Sequence, residues 1–274
     1  MIFTYRDDLD LEKIADSGQC FRWTMQDDGI CRIIAGSELL HIRRKNVSQL
    51  EADCSQEKFE AFWSRYFDFQ EKYGKIRKRI DPEQDPFLYQ AALYGQGIRI
   101  LRQDPWEMLI SFIISQRKSI PAIRTAIENL CRAAGTVIET QTETETVYAF
   151  PKPEQLAALT AQQLGECGLG YRTEYVRRAA KAAADGIIDF DRMQQMDDAA
   201  LEQSLKCIYG VGTKVANCTE LFGFHRLDSF PKDVWINRVL ETEYPHGYPF
   251  AAYEPYNGVM QQYMFYYYRG QSGR

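Results

Sequence analysis

The chain has 274 residues, 45% of them hydrophobic, which is enough apolar material for a sizeable core and for two domains. A net charge of −5 runs against the basic balance common in DNA-binding domains. No apolar run is long enough to span a bilayer and the N-terminus carries no secretory pattern, so neither a membrane protein nor a secreted one is expected. Seven cysteines, at 20, 31, 54, 131, 167, 207 and 218, form no Cys-x-x-Cys pair and are odd in number, which fits reduced thiols in a cytoplasmic or nuclear setting.

In chain order, Phe21-Arg22-Trp23-Thr24, Ile30 to Ile34 and Leu39 to Ile42 are short apolar runs. They are separated by Asp27-Asp28-Gly29 and Gly36-Ser37, and the pattern predicts antiparallel strands joined by turns. Helical spacing follows over Phe59 to Arg79, a strongly apolar helix over Trp106 to Ser115, and an amphipathic one over Ile120 to Ala134 ahead of Gly135. Pro151-Lys152-Pro153 opens a further helical stretch, and Gly168-Leu169-Gly170 interrupts one. Basic side chains collect in three places. Lys72, Lys75, Arg77, Lys78 and Arg79 read as a solvated face. Arg117, Lys118 and Arg124, and then Arg172, Arg177, Arg178 and Lys181, flank the motifs Ser115 to Ser119 and Leu169 to Arg172, and on that ground read as contacts for a polyanion.

The most informative stretch is Leu205 to Ala216, a helix end, a Gly210-Val211-Gly212 hairpin and a second helix with Lys214 in its first turn. The glycines allow a sharp turn and a close approach to a ligand. The unpaired amides opening the second helix suit an anion such as a DNA phosphate. The helix dipole and partial desolvation would disfavour the ammonium form of Lys214 and expose an amine nucleophile. The same residues also suit a plain connector with a solvated lysine. Nineteen residues beyond Lys214, Asp233 precedes an apolar helical run: it suits an ordinary N-cap, or a carboxylate fixed for work beside the lysine, and the two roles are compatible.

With Asp233 in place, Gly210-Val211-Gly212-Thr213-Lys214-Val215-Ala216 resembles the signature of the helix-hairpin-helix DNA glycosylases, specifically 8-oxoguanine DNA glycosylase/AP lyase. Four further segments resemble the same family: Ser17 to Trp23, Gly97 to Pro105, Leu169-Gly170-Tyr171-Arg172, and Gly258 to Phe265. The resemblance implies an α+β fold, with an N-terminal antiparallel sheet domain (1–85) packed on a mostly helical helix-hairpin-helix domain (86–274). It also implies a monomer that acts on double-stranded DNA containing oxidised guanine. No cofactor or metal is implied; with no cysteine after Cys218, the iron–sulfur tail of some related glycosylases is missing.

By the same resemblance Lys214 attacks C1′ and forms a Schiff base, which makes the 2′ protons acidic and explains strand cleavage by β-elimination. Asp233 stabilises the developing positive sugar. Gly18 aims a carbonyl at N7–H of 8-oxoguanine, a donor where guanine has an acceptor. Gln261 bonds the Watson–Crick edge, while Phe265 and Cys218 stack on opposite faces of the base. Gly210, Val211 and Gly212 hold the backbone phosphate, and Tyr171 and Arg172 wedge beside the estranged base.

Three positions depart from the family pattern. Arg117, within Ser115 to Ser119, stands where an asparagine fills the vacated stack, and Ala122 stands where animal enzymes have an arginine that reads the opposite cytosine. Trp235 replaces a common histidine, so no contact is carried over there. A relaxed opposite-base preference is the expectation. His41, His225 and His246 show no catalytic or metal spacing and read as surface or packing residues. Two rival readings are a glycosylase for another lesion, opposed by the joint presence of Gly18, Gln261 and Phe265, and a non-catalytic DNA-binding module, which would need neither Lys214 nor Asp233.

Overall fold

Local chemistry draws the element boundaries in the computed structural model, which describes residues 1–140 and 142–272. Five strands, β1 (Ile2–Thr4), β2 (Trp23–Met25), β3 (Cys31–Ala35), β4 (Glu38–Arg44) and β5 (Gln49–Ala52), form one antiparallel sheet in the order β1-β5-β4-β3-β2. The central pairing runs from Cys31 opposite Ile42 to Ala35 opposite Glu38. Buried Trp23, Cys31, Ile33, Leu40 and Ile42 on the sheet share one core with Ile14, Trp63 and Phe67. A second, helical core forms around Leu109, Ile113, Ile127, Leu130, Leu221 and Met260. The expected α+β arrangement is therefore present. Strands β1 and β5 and a short hairpin of β6 (Val137–Ile138) with β7 (Val147–Tyr148) were not legible as apolar alternation.

Capping explains the principal helices. α1 (Leu11–Asp16) is capped by Asp10, α2 (Pro86–Tyr94) by Asp85 and α3 (Pro105–Ser115) by Asp104, whose side chain accepts from the Glu107 amide at 2.9 Å. In α2 and α3 a proline fills the first turn, where its missing N–H costs nothing. The remaining principal helices are α4 (Ile120–Ala134), α5 (Thr173–Ala184), α6 (Asp198–Lys206), α7 (Thr213–Phe222), α8 (Val234–Glu243) and α9 (Asn257–Ser272). The spacing over Phe59 to Arg79 does not become one helix. A π-helical turn at Phe59–Trp63 and a short turn at Ser64–Tyr66 stop at Asp68, which adopts φ 53°, and helix resumes only at Tyr73–Arg77. Asp68 is committed elsewhere, accepting from Arg102 Nε at 2.7 Å and facing His225 Nε2 at 3.2 Å.

The two cores are stitched by buried polar groups of the 97–103 segment. Gln19 is fully buried, donates to Ser17 Oγ and the Arg99 carbonyl, and accepts from the Leu101 amide at 2.9 Å. Arg99, also fully buried, donates to the carbonyls of Phe67, Asp8, Asp68 and Glu71, and its guanidinium lies 4.3 Å from the Tyr73 ring centroid. Such satisfied networks fix one relative placement of the parts they join. At the same junction Glu107 is buried at the start of α3; burial pushes its carboxyl up to about 7, with Arg22 opposing and Asp104 adding to the shift.

Candidate active site

Six residues drawn from across the chain line one small cleft of about 50 Å³: Gly18, Lys214, Cys218, Asp233, Gln261 and Phe265. Gly18 follows α1 at φ 77°, a conformation that favours glycine, and a Cβ there would lie 3.4 Å from the Phe265 ring. Its loop is held from behind by Ser17 Oγ donating to the Ile14 carbonyl and by Gln19 across the junction. Among the described residues no N–H donates to the Gly18 carbonyl.

Lys214 stands in the first turn of α7, half-buried, with Nζ 5.0 Å from the centroid of Phe112 on α3. Helix α7 packs on both α3 and α6. One turn later Cys218 is buried; burial raises its thiol pKa, and the adjacent Lys214 opposes that shift. Asp233 caps α8: its Oδ1 accepts from the amides of Trp235 at 3.0 Å and Ile236 at 2.9 Å, and Oδ2 takes neither cap bond. The cap and the cleft-lining carboxylate are thus one side chain. The carboxylate is held by its own helix before any ligand arrives.

Helix α9 supplies the far wall. Gln261 is buried and its Nε2 donates to the Pro231 carbonyl at 3.0 Å, while its Oε1 accepts from Gln262 Nε2 at 3.1 Å. Phe265 follows one turn later, half-buried, with Arg269 5.5 Å from its ring centroid. Sequence reasoning missed the cleft residues Ser17, Phe112, Phe222, Pro231 and Gln262. The phenylalanines carry no signal beyond helical apolar spacing. Gln262 does carry one, as half of a glutamine pair inside an otherwise apolar and aromatic run.

The remaining site residues gather on an outer rim. Gly210 has φ 86°, and a Cβ there would come within 2.4 Å of the Tyr175 ring, so only glycine fits. Val211 is buried and its amide donates to the Ile208 carbonyl, so within the hairpin that amide is already used. Gly212 caps α7 without a side chain, which leaves the first amides of the helix without a side-chain partner. Gln116 ties three loops together: its Nε2 donates to the Gly210 carbonyl at 3.1 Å, and its carbonyl accepts from Arg172 Nε at 2.8 Å and from Tyr171 Oη at 3.4 Å.

Burial separates two neighbours on the rim. Tyr171 is 54% exposed, but Arg172 is only 6% exposed and its guanidinium donates to the carbonyls of Gln116 and Leu169. That guanidinium also lies 4.3 Å from the Tyr171 ring centroid, so Arg172 braces the exposed ring and its loop from within. The third basic cluster is partly paired within its own helix, where Arg177 and Arg178 share the single carboxylate of Glu174 and Lys181 pairs with Asp185, so a net positive charge remains. In the second cluster Lys118 reaches the Gly168 carbonyl and Arg124 the Ala15 carbonyl, whereas Arg117 is exposed at φ 50°. An exposed arginine held in a left-handed conformation stores strain of the kind found at functional loops.

Comparison with known proteins places the fold in a family. Residues 1–109 match the family model for the 8-oxoguanine DNA glycosylase N-terminal domain, and residues 110–246 match that for the HhH-GPD superfamily of base excision DNA repair proteins. The N-glycosylase/DNA lyase of Saccharomyces cerevisiae is 30% identical over 87% of this chain and 69% of its own. The structure of MBOgg1 with a low-affinity DNA ligand superimposes with a TM-score of 0.92 at 35% identity, covering 99% of this chain and 96% of that one. The 8-oxoguanine glycosylase/lyase of Clostridium acetobutylicum, bound to double-stranded DNA with cytosine opposite 8-oxoguanine, gives 0.89 at 32% identity over 99% and 98%. The chain therefore belongs to the 8-oxoguanine DNA glycosylase/lyase family, within the HhH-GPD superfamily of base excision DNA repair proteins.

Proposed function

We propose that this protein removes 8-oxoguanine from duplex DNA with Lys214 as nucleophile and then cleaves the strand by β-elimination. The observation that carries the reading is the meeting of Gly18, Lys214, Cys218, Asp233, Gln261 and Phe265 around one cleft. The Lys214 amine attacks C1′, the bond to the base breaks with its electron pair, and the base leaves with a proton. The amine–sugar adduct becomes an imine as the C1′–O4′ bond opens, nitrogen losing a proton and O4′ gaining one. The 2′ carbon then gives up a proton, and the 3′ phosphate departs with the electron pair of the C3′–O bond. Asp233 serves the positive charge that builds on the sugar, from a position fixed by its cap bonds. Arg117 and Tyr171 occupy the opened stack at the exposed rim, and the α7 amides hold a phosphate.

The test is borohydride trapping on duplexes that carry 8-oxoguanine or guanine at one site. A covalent complex with the lesion alone, lost in Lys214→Gln, is the expected result. Release of the base without trapping would overturn the lysine mechanism, and trapping on a different damaged base would overturn the substrate.

A further inference from the structure

The cleft contains a short hydrogen-bond relay whose polarity is set by the backbone. Pro231 has a carbonyl and no N–H, so the group meeting that carbonyl has to be a donor. Gln261 supplies it with Nε2 at 3.0 Å, which leaves its Oε1 at the other end of the amide. That oxygen needs a donor in turn, and Gln262 supplies Nε2 at 3.1 Å. By the same logic the free end of Gln262 is an oxygen. Gln262 is 3% exposed and lines the cleft, and among the described residues nothing donates to its Oε1. Flipping either amide would set oxygen against oxygen, so the relay holds one sense only.

We infer that Gln262 is a specificity residue whose Oε1 accepts a hydrogen bond from the Watson–Crick edge of the bound base. A buried acceptor without a partner is costly unless an occupant supplies the donor. Guanine-type edges carry adjacent donors, a ring N1–H and an exocyclic amine. Adenine-type edges set an acceptor, N1, beside a single amine. The relay therefore favours an oxidised guanine over an oxidised adenine, although the two lesions share the same 8-oxo and N7–H groups. This inference rests on the function proposed above and adds a selectivity that neither the Gly18 carbonyl nor stacking on Phe265 can supply.

The experiment compares single-turnover excision of 8-oxoguanine and of 8-oxoadenine, placed in one duplex context, by the parent protein and Gln262→Met. Methionine keeps the length of the side chain and removes both the acceptor and the donor. The 8-oxoguanine to 8-oxoadenine rate ratio should fall roughly 10- to 100-fold. Borohydride trapping of both proteins on a preformed abasic site, where no base fills the cleft, should stay unchanged and rules out collapse of the fold. An unchanged ratio, whether both rates fall together or neither falls, overturns the role of Gln262. A parent protein that traps the abasic site but releases no 8-oxoguanine would instead overturn the proposed substrate, so the two failures are distinguishable.

Discussion

The cleft and the rim are built on opposite plans. In the cleft three groups are aimed by backbone: Asp233 by the amides it caps, Gln261 by the Pro231 carbonyl, and Gly18 by a left-handed turn. On the rim Tyr171 and Arg117 stand exposed, and Tyr171 is braced from beneath by the Gln116 carbonyl and the Arg172 guanidinium. Groups that must meet a reacting atom are preorganised one by one. Groups that meet a deformable duplex stand exposed on a braced loop. Substitutions in the cleft should therefore change chemistry at constant stability, whereas those behind the rim should change stability first.

The largest effect should come from Asp233→Asn. The amide oxygen still accepts the cap bonds, so the melting temperature should barely move, while single-turnover excision drops roughly 10²- to 10³-fold. A variant of normal stability and near-normal rate would refute the catalytic assignment, and a variant that unfolds would break the contrast with the rim.

Behind the cleft stands Glu107, on the helix that carries Phe112, with its carboxyl raised from 4.5 to about 7 by burial. Below pH 4.5 the group is protonated both folded and unfolded and exacts no penalty. Between there and pH 7 the unfolded chain ionises first, so stability falls as pH rises, by on the order of 3 kcal/mol in all. Glu107→Gln should remove that slope and gain most over the parent at pH 8 in chemical denaturation; an equal difference at pH 5 and pH 8 would sink the linkage.

On the rim the pair Tyr171 and Arg172 should separate. Arg172→Met strips the Gln116 and Leu169 carbonyls of their guanidinium donors and should cost about 1–3 kcal/mol of stability, seen in the urea midpoint. Tyr171→Ala should leave the midpoint in place and weaken duplex binding by roughly 1 kcal/mol, the low end for an aromatic contact with a base. The reverse assignment of effects would mean that Arg172, not Tyr171, faces DNA. The smallest effect concerns the partner base: with Ala122 where an arginine would read cytosine, excision rates opposite the four bases should differ by less than about tenfold, roughly 1.4 kcal/mol. Strict preference for cytosine would contradict this.

What could be read from the sequence was local. The hairpin glycines, the Asp233 cap and the α3 and α4 boundaries follow from residues within one or two turns of one another. Features that depend on distant partners were missed. Asp68 ends the expected helix because Arg102 and His225 claim its carboxylate. Arg172 is turned inward by Gln116, 56 positions earlier. The polarity of Gln262 comes from Pro231 through Gln261. A basic residue in a loop gives no sign of whether it faces outward or holds a carbonyl, and a run of charges does not show that Arg177 and Arg178 share Glu174.

Gln19 joins a loop of the cleft to a segment some 80 positions away, and three hydrogen bonds tie it to the 99–103 strap. Parting of that seam would dissolve the cleft while each hydrophobic core stayed intact, a sub-global opening with a free energy below that of complete unfolding. On heating, excision should therefore fade ahead of helix content, and amide exchange at Leu101 should report the loss before exchange within the sheet does. Competence and foldedness are separate properties of this chain, with one buried glutamine marking the line between them.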